Sequence, residues 1–498
     1  MGNARDDGDQ VRRTNGTNPR DLRIAIIGAG PGGLCMGIRL KGARFERFEI
    51  LEKASGVGGT WYHNRYPGCA CDIPSQLYSF SFEPKRDWSR PYAPQPEILD
   101  YLEHCAGKYD LLPHCRFGDA VRRARWDEAG ARWTLELASG RTVSADIVVS
   151  AIGMFNEIAM PDIPGLDAFA GTRFHSARWN RDHDLSGETV GVIGSAASAV
   201  QLVPEIVKQA GQVYLFQRSA NWVAPKEDDP YTEKTLERFR RDPELVLAMR
   251  RKIFESFGGP DLFARIRPEM EAVCLANIAK VEDPEVRALL TPDHPWGCKR
   301  PLFSNDYYPA FNRPNLELVT DPIERITKAA VVTQGGRERP LDTLILATGF
   351  ETTKFLSAID VIGRGGLRVA DAWSDGAEAY KGVTTAGFPN LFMLYGPNTN
   401  SDSIITMIEY QVDHVLRQIQ RIATEGLAWI DVKPAPMAEY NAEIQRELAA
   451  MESWQGGCTD YYRAPSGRIV TQWPRSMPAL EQALAGLDED AYEAVART

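Results

Sequence analysis

The 498-residue sequence lacks any long apolar run and any excess of basic residues. A membrane-spanning helix needs roughly 18 to 20 consecutive apolar residues, and no stretch of the chain approaches that length. Residues 1–21 contain no apolar segment of the kind that a secretory signal requires, and their many charges predict a disordered tail. The formal net charge of −10 argues against nucleic-acid binding, which requires a basic surface. We therefore expect a cytoplasmic protein that binds neither membranes nor nucleic acids.

The cysteines and histidines are few and follow no ligand pattern. The eight cysteines are scattered along the chain, and Cys69 and Cys71 form a CxC pair instead of the CxxC of dithiol reductases. We expect reduced thiols, as in most cytosolic proteins. The seven histidines have no metal-ligand spacing, so we expect no metal site.

A glycine-rich turn near the start of the chain is the first motif that carries chemistry. The apolar run Ile24–Ile27 predicts a buried strand, and Gly28, Gly30 and Gly33 then follow the GxGxxG spacing. The first glycine permits a tight turn, the second lets the backbone approach a pyrophosphate, and the third lets the helix pack on the strand. Glu52 ends the next predicted strand, where a carboxylate can accept hydrogen bonds from both ribose hydroxyls. These features predict a dinucleotide-binding unit.

A second unit of the same kind follows the apolar run Val190–Ile193. Gly194 occupies the first glycine position, but Ala196 and Ala199 replace the later two glycines. The methyl group of Ala196 is expected to crowd the phosphate, whereas alanine suits the third position. Arg218 stands after the next strand where an acid would favour NADH, so the pattern favours NADPH, with a surface arginine as the alternative.

The doubled pattern predicts an α/β fold with two Rossmann-like three-layer nucleotide-binding domains. We expect a discontinuous first domain made of residues 22–158 and 341–498, because strand patterns return near 340. The second domain is expected at 159–340. Helical and charged patterns predict a helical insertion within it at about 230–295.

Three further segments carry a more specific signal. Residues 58–72 read GGTWYHNRYPGCACD, residues 169–180 contain FxGxxxHxxxW, and a Lys299-Arg300 pair precedes the segment YYPAFNRPNLELV. Together they resemble the signatures of Baeyer–Villiger monooxygenases, which are class B flavoprotein monooxygenases. The resemblance covers roughly residues 22–475 and implies FAD in the first domain and NADPH in the second.

The resemblance also implies roles for single residues. Arg300 and Asp72 would be the catalytic residues, with Asp72 near the flavin and paired with Arg300. Lys299 would contact the 2′-phosphate. The implied linker motif, which would couple domain movement to catalysis, comprises Phe169, Gly171, His175 and Trp179. The residues implied to bind FAD are Gly28, Gly30, Gly33, Glu52, Gly59, Thr60, Trp61, Asp72, Tyr78 and Val121. The residues implied to bind NADPH are Cys71, Gly194, Ser195, Ser198, Gln201, Arg218, Ser219, Lys299 and Arg300.

The reaction that the resemblance implies is a Baeyer–Villiger oxidation. NADPH reduces FAD, the reduced flavin and O₂ give a flavin peroxide, and attack on a ketone yields an ester or lactone. Arginine suits such a site because its guanidinium stays charged and presents a planar fork of donors. The segments FMLYGPNTN at 392–400 and WQGGCTDYY at 454–462 resemble the 4-hydroxyacetophenone monooxygenase branch more than the cyclohexanone one.

Three alternative functions stay open at the level of sequence. A sulfur or nitrogen oxygenase of the same architecture would use the same cofactors. An NADPH-dependent flavin reductase would pass electrons on to a disulfide or a quinone, although the chain has no CxxC near the flavin motifs. A nucleotide-binding protein without turnover is conceivable because of Ala196. The sequence names neither the ketone nor the oligomeric state.

Overall fold

The computed structural model describes residues 21–257, 259, 261–454, 457 and 462–497. Residues 1–20 of the predicted tail lie outside the described residues, as does most of the segment 454–462. The strands are β1 (Ile24–Ile27), β2 (Phe48–Leu51), β3 (Cys115–Arg116), β4 (Val121–Asp127), β5 (Arg132–Leu137), β6 (Thr142–Ala145), β7 (Ile147–Ser150), β8 (Thr172–His175), β9 (Thr189–Ile193), β10 (Gln212–Phe216), β11 (Val223–Ala224), β12 (Leu302–Phe303), β13 (Leu316–Val319), β14 (Ile323–Ile326), β15 (Ala330–Thr333), β16 (Glu338–Pro340), β17 (Thr343–Leu346), β18 (Asp360–Ile362), β19 (Leu391–Met393), β20 (Leu427–Val432) and β21 (Tyr492–Ala496). The α-helices are α1 (Pro31–Gly42), α2 (Thr60–His63), α3 (Gln95–Lys108), α4 (Ala197–Ile206), α5 (Glu233–Arg241), α6 (Pro243–Ser256), α7 (Leu262–Arg265), α8 (Arg267–Ile278), α9 (Pro284–Leu289), α10 (Tyr307–Ala310), α11 (Val369–Ala372), α12 (Ile404–Thr424), α13 (Pro434–Ala450) and α14 (Met477–Ala485).

The first nucleotide-type sheet is built from strands at both ends of the chain. Its order is β19-β7-β1-β2-β3, and all four pairings are parallel. Every residue of β1 and β7 is buried, and all are apolar except Ser150, as expected where helices cover both faces of a parallel sheet. α1 packs against α12, a helix that follows the last strand of this sheet. The glycine-rich turn therefore lies at the carboxyl end of the central strand, where ligands bind in folds of this type.

The second nucleotide-type sheet has the order β13-β10-β9-β17-β8 and is also parallel throughout. The predicted α/β fold with two such sheets is confirmed. The expectation that the chain re-enters the first domain at 341 is wrong, because β17 pairs with β9 on one side and β8 on the other. An apolar run shows that a strand is buried but not which of two similar sheets receives it. The other predicted domain limits stay predictions.

Helices α5 to α9 lie between β11 and β12, within the range 230–295 that was predicted to be helical. α6 is anchored on the first nucleotide unit by the buried side chain of Arg250. Its Nη1 donates a hydrogen bond to the carbonyl oxygen of Ser79 at 2.8 Å, and its Nη2 lies 3.6 Å from a carboxylate oxygen of Glu409. These contacts fix the position of Ser79, in the segment that follows Asp72. No helix among the described residues is both long and apolar enough to cross a membrane.

Candidate active site

The first glycine-rich turn requires glycine for steric reasons. Gly28 has a φ of +105°, and a Cβ there would lie 2.7 Å from the carbonyl oxygen of Ala151. A Cβ at Gly33 would lie 1.9 Å from the carbonyl oxygen of Gly28. α1 starts directly after Gly30, which has no side chain to occupy the N–H groups of the first helical turn. These groups are the usual binding site for a phosphate.

Glu52 is buried at the end of β2, and its carboxylate holds the turn together. One carboxylate oxygen accepts a hydrogen bond from the Ala29 N–H at 2.7 Å, and the other accepts one from the Ala54 N–H at 2.7 Å. A carboxylate has about four acceptor positions, so Glu52 can still accept from ribose hydroxyls. The sequence predicted that Glu52 accepts hydrogen bonds from the ribose, but it did not predict the two hydrogen bonds that hold the turn together.

The segment that starts at Gly58 packs directly on the first turn. Gly59 has a φ of +56°, and a Cβ there would lie 2.8 Å from the Cα of Gly30. The indole N–H of Trp61 donates to the hydroxyl oxygen of Tyr78 at 3.0 Å. Burial raises the pKa of Tyr78 well above its usual value, so the phenol stays protonated. The close glycine contact and the Trp61–Tyr78 pair form one wall of a cavity.

Asp72 and Arg300 meet in this cavity although 228 residues separate them. The Nε and Nη2 atoms of Arg300 donate to one Asp72 carboxylate oxygen, Oδ2, at 3.2 and 2.5 Å. Both side chains are partly exposed, 34% for Arg300 and 27% for Asp72, and both face the cavity. The pair places a permanent cation, oriented by a carboxylate, on the wall of a cavity that both glycine-rich turns also line.

The second glycine-rich turn has the same backbone geometry as the first. Gly194 has a φ of +107°, and a Cβ there would lie 2.4 Å from the carbonyl oxygen of Ala347. Ala196 precedes α4 with extended backbone and no side-chain cap, so the N–H groups of the first helical turn are open to a phosphate. The alanine is therefore compatible with the local backbone.

A small polar cluster lies at the expected 2′-phosphate position. The Lys299 ammonium donates to the Ser219 hydroxyl oxygen at 2.8 Å, and the Ser195 hydroxyl donates to the Ser219 carbonyl oxygen at 3.2 Å. Arg218 is exposed and lines the same cavity. The Lys299 ammonium and two serines thus meet just after the end of β10, and the Arg218 side chain lines the same cavity.

Gln201 lies on α4 but bonds across to the segment that leads to Asp72. Its side chain donates to the Ala70 carbonyl oxygen at 3.0 Å and accepts from the Tyr66 hydroxyl at 2.9 Å. This link between the two nucleotide units was not predicted, because nothing local in the sequence marks a contact over 135 positions. Ser198 and Cys71 line the cavity nearby. Burial raises the pKa of the Cys69 thiol to about 12 and raises that of the Cys71 thiol further, so neither is a reactive thiolate.

The predicted linker motif lies behind the cavity wall. Phe169 and His175 are buried, and a Cβ at Gly171 would lie 2.3 Å from the Asp342 carbonyl oxygen. The His175 ring lies 6.1 Å from that of Phe350, which does line the cavity. Trp179 packs edge-on against Phe174 at 5.0 Å. Burial lowers the pKa of His175 to about 4, so its imidazole is neutral near neutral pH.

The two glycine-rich turns, the Asp72–Arg300 pair and Lys299 all line one cavity of about 1370 Å³. Its volume exceeds the roughly 300 to 1,000 Å³ typical of a single drug-sized ligand. Every residue predicted to bind FAD or NADPH lines this cavity, Val121 included, with the exception of Gly33. Gly33 instead packs against the carbonyl oxygen of Gly28. The four linker-motif residues do not line the cavity.

The expectation of reduced thiols is wrong at Cys298, which is disulfide-bonded, whereas the other cysteines within the described residues are free.

The chain is similar to proteins of known family over nearly its full length. The family model for pyridine nucleotide-disulphide oxidoreductases matches residues 25–253. A Baeyer–Villiger monooxygenase of Streptomyces coelicolor is 39% identical over 95% of this chain and 92% of its own, and one of Pseudomonas aeruginosa is 42% identical over 91% and 88%. The structure of an oxidized steroid monooxygenase bound to NADP superposes with a TM-score of 0.86 at 32% identity, covering 96% of this chain and 100% of that one. The chain therefore belongs to the Baeyer–Villiger monooxygenase family.

Proposed function

We propose that the protein is an FAD- and NADPH-dependent monooxygenase. It inserts one oxygen atom of O₂ next to a ketone carbonyl and so forms an ester or a lactone. The observation that carries this proposal is the Arg300–Asp72 pair in a cavity that both nucleotide turns share. The family relationship supplies the reaction class.

The residues of the first unit fit FAD. Gly30 and Gly59 pack backbone against backbone on the cavity wall, since a Cβ at Gly59 would lie 2.8 Å from the Cα of Gly30. The open N-terminus of α1 suits the pyrophosphate, and the remaining acceptor positions of Glu52 suit the ribose. Once reduced by NADPH, bound FAD supplies the activation of O₂.

The residues of the second unit fit NADPH more closely than NADH. Gly194 and the start of α4 suit the pyrophosphate. Arg218 and Lys299 would hold the 2′-phosphate with charge-assisted hydrogen bonds, and Ser219 keeps the lysine ammonium in place. An exposed arginine at the end of β10 has its strongest explanation in such a phosphate.

Arg300 is the residue that the chemistry depends on most. Oxygen transfer to a ketone places negative charge on oxygen, and a guanidinium beside that charge lowers its energy without taking part in proton transfer. Asp72 orients the guanidinium through the hydrogen bonds from Nε and Nη2. Asp72 is therefore a positioning residue, and both assignments are proposals, as are the other cofactor contacts.

Three finer assignments belong to the proposal: the branch of the family, the location and the substrate. The segment 392–400 favours the 4-hydroxyacetophenone monooxygenase branch, whereas most of the second supporting segment lies outside the described residues. A cytoplasmic location accords with the composition of the chain. The small-molecule substrate is expected to be a ketone.

The test is product analysis with a ketone and a thioether side by side. Purified protein with FAD and NADPH should consume O₂ in the presence of ketone and give a product one oxygen atom heavier than the substrate. Isotopically labelled O₂ should deliver its label to that product. A sulfoxide as the sole product would identify a heteroatom oxygenase instead. Hydrogen peroxide without any oxygenated product would identify a flavin reductase and overturn the proposal.

A further inference from the structure

Asp402 is an ionisable side chain in the cavity wall to which the proposed chemistry gives no task. It lies two positions before α12 and lines the cavity together with Ser401 and Ile404. Burial raises its pKa to about 6, and a hydrogen bond with Ser401 opposes that rise only in part. The carboxyl group is therefore largely ionised near neutral pH although it is partly buried.

The residues on either side of Asp402 are fixed by buried hydrogen bonds. Asn400 accepts a hydrogen bond from the Tyr395 hydroxyl at 2.6 Å and donates to the side chain of Gln472. Ser403 is fully buried and caps α12 through the Thr406 N–H at 3.4 Å. Because both neighbours are held inside the protein, the Asp402 side chain is presented to the cavity from a rigid backbone.

Apolar side chains also contribute to the cavity wall in this part of the fold. Leu394, Ile404 and Ile408 come from the same part of the fold and line the same cavity. Among the described residues no basic side chain forms an ion pair with Asp402, and no cation contributes to its pKa. Asp72, another carboxylate on the cavity wall, is paired with Arg300. Asp402 thus differs from Asp72 in lacking a counter-ion.

An ionised carboxylate that is poorly solvated and unpaired is costly, and a ligand that brings a cation removes that cost. We propose that the Asp402 carboxylate determines substrate specificity by accepting a hydrogen bond from an ammonium group on the ketone. The preferred substrates are therefore ketones with a protonated amine remote from the carbonyl carbon. This inference rests on the proposed function, since it concerns the substrate of the same site.

The test compares three ketones of similar size: 4-aminocyclohexanone, 4-hydroxycyclohexanone and 4-methylcyclohexanone. Each is assayed for kcat/KM and, with the oxidised enzyme, for binding through the change in flavin absorbance. The wild type should prefer the ammonium ketone over the methyl ketone by about ten-fold or more, as expected for a charge-assisted hydrogen bond. The hydroxyl ketone should lie between them, because it offers a donor without a charge.

Asp402→Asn should abolish this preference, while kcat/KM for the methyl ketone stays within about two-fold of the wild type. Asp402→Ser serves as a second variant in case the first does not fold. The matched control is Asp162→Asn, which removes an exposed carboxylate from the rim of the same cavity and should leave the preference intact.

Several results would overturn the inference. One is a wild type without preference in both assays, and another is a preference that survives Asp402→Asn. A third is an Asp402→Asn enzyme whose flavin spectrum and reduction by NADPH change equally with every ketone, since Asp402 would then act on the flavin. If no ketone is oxygenated although NADPH reduces the FAD, the proposed function fails. The binding assay then still decides whether Asp402 selects the ammonium group.

Discussion

Replacing Arg300 is expected to separate the reduction of the flavin from the oxygenation of the ketone. In Arg300→Ala the two hydrogen bonds to Asp72 are lost, at 3.2 and 2.5 Å, and the Asp72 carboxylate stays in the cavity wall without its cation. The perturbation therefore removes a positive charge and leaves a negative one beside the reacting atoms. The glycine-rich turns, which are proposed to bind the two cofactors, should keep their structure.

The magnitude follows from the loss of one preorganised donor to a developing oxyanion. Such a loss costs about 10² to 10³ in kcat, or roughly 2.7 to 4 kcal/mol. We therefore expect ester formation by Arg300→Ala to fall at least about hundred-fold. Arg300→Lys keeps the charge but loses the planar fork, so its rate should lie between those of the wild type and the alanine variant.

Rapid-mixing absorbance measures both half-reactions. Anaerobic reduction of the flavin by NADPH should stay within about ten-fold of the wild-type rate, because no oxyanion forms in that step. Aerobic turnover should then consume NADPH and release hydrogen peroxide, while product analysis finds little ester. The control is Arg123→Ala, which breaks an ion pair of similar length with Asp360; neither of these two residues lines the cavity, so the substitution should change neither rate. Near wild-type ester yield from Arg300→Ala would refute the assignment of Arg300.

Three further predictions concern the cofactors and the pH dependence of stability. Glu52→Gln places an amide N–H₂ against one of two backbone N–H groups, so FAD affinity should fall by roughly one to two orders of magnitude, measured by flavin retention on dilution. An unchanged affinity would mean that Glu52 serves the turn alone. Arg218→Ala should weaken NADPH use by about one to two orders of magnitude and leave NADH use nearly unchanged, and equal losses with both would show a structural role. Burial lowers the pKa of His414 from 6.5 to about 4, so folding favours its neutral form. The free energy of unfolding should therefore decrease as the pH falls from 6.5 towards 4, and His414→Gln should reduce that decrease in urea titrations. An identical pH dependence in the variant would contradict this account.

The sequence by itself determined the two nucleotide-binding units and the chemistry expected of them. Gly28 and Gly194 need positive φ, and Gly33 must admit a carbonyl oxygen from five residues earlier. These requirements act over a few neighbouring residues, so they leave a spacing that can be recognised in the sequence. Glu52 was predictable for the same reason, because it stands at the end of the strand that follows the turn.

The tertiary structure alone decided which distant residues meet. The sequence could not place β17 in the second sheet, since an apolar strand fits either parallel sheet equally well. The Tyr66–Gln201 hydrogen bond and the position of Asp402 had no local signal, because each depends on how separate elements are packed. The pairing of Asp72 with Arg300 was expected only from a family resemblance, and the fold brings the two together across 228 positions. Local backbone constraints can be recognised in the sequence because they act on neighbouring residues. A cavity wall cannot, because it depends on which remote segments the topology brings into contact.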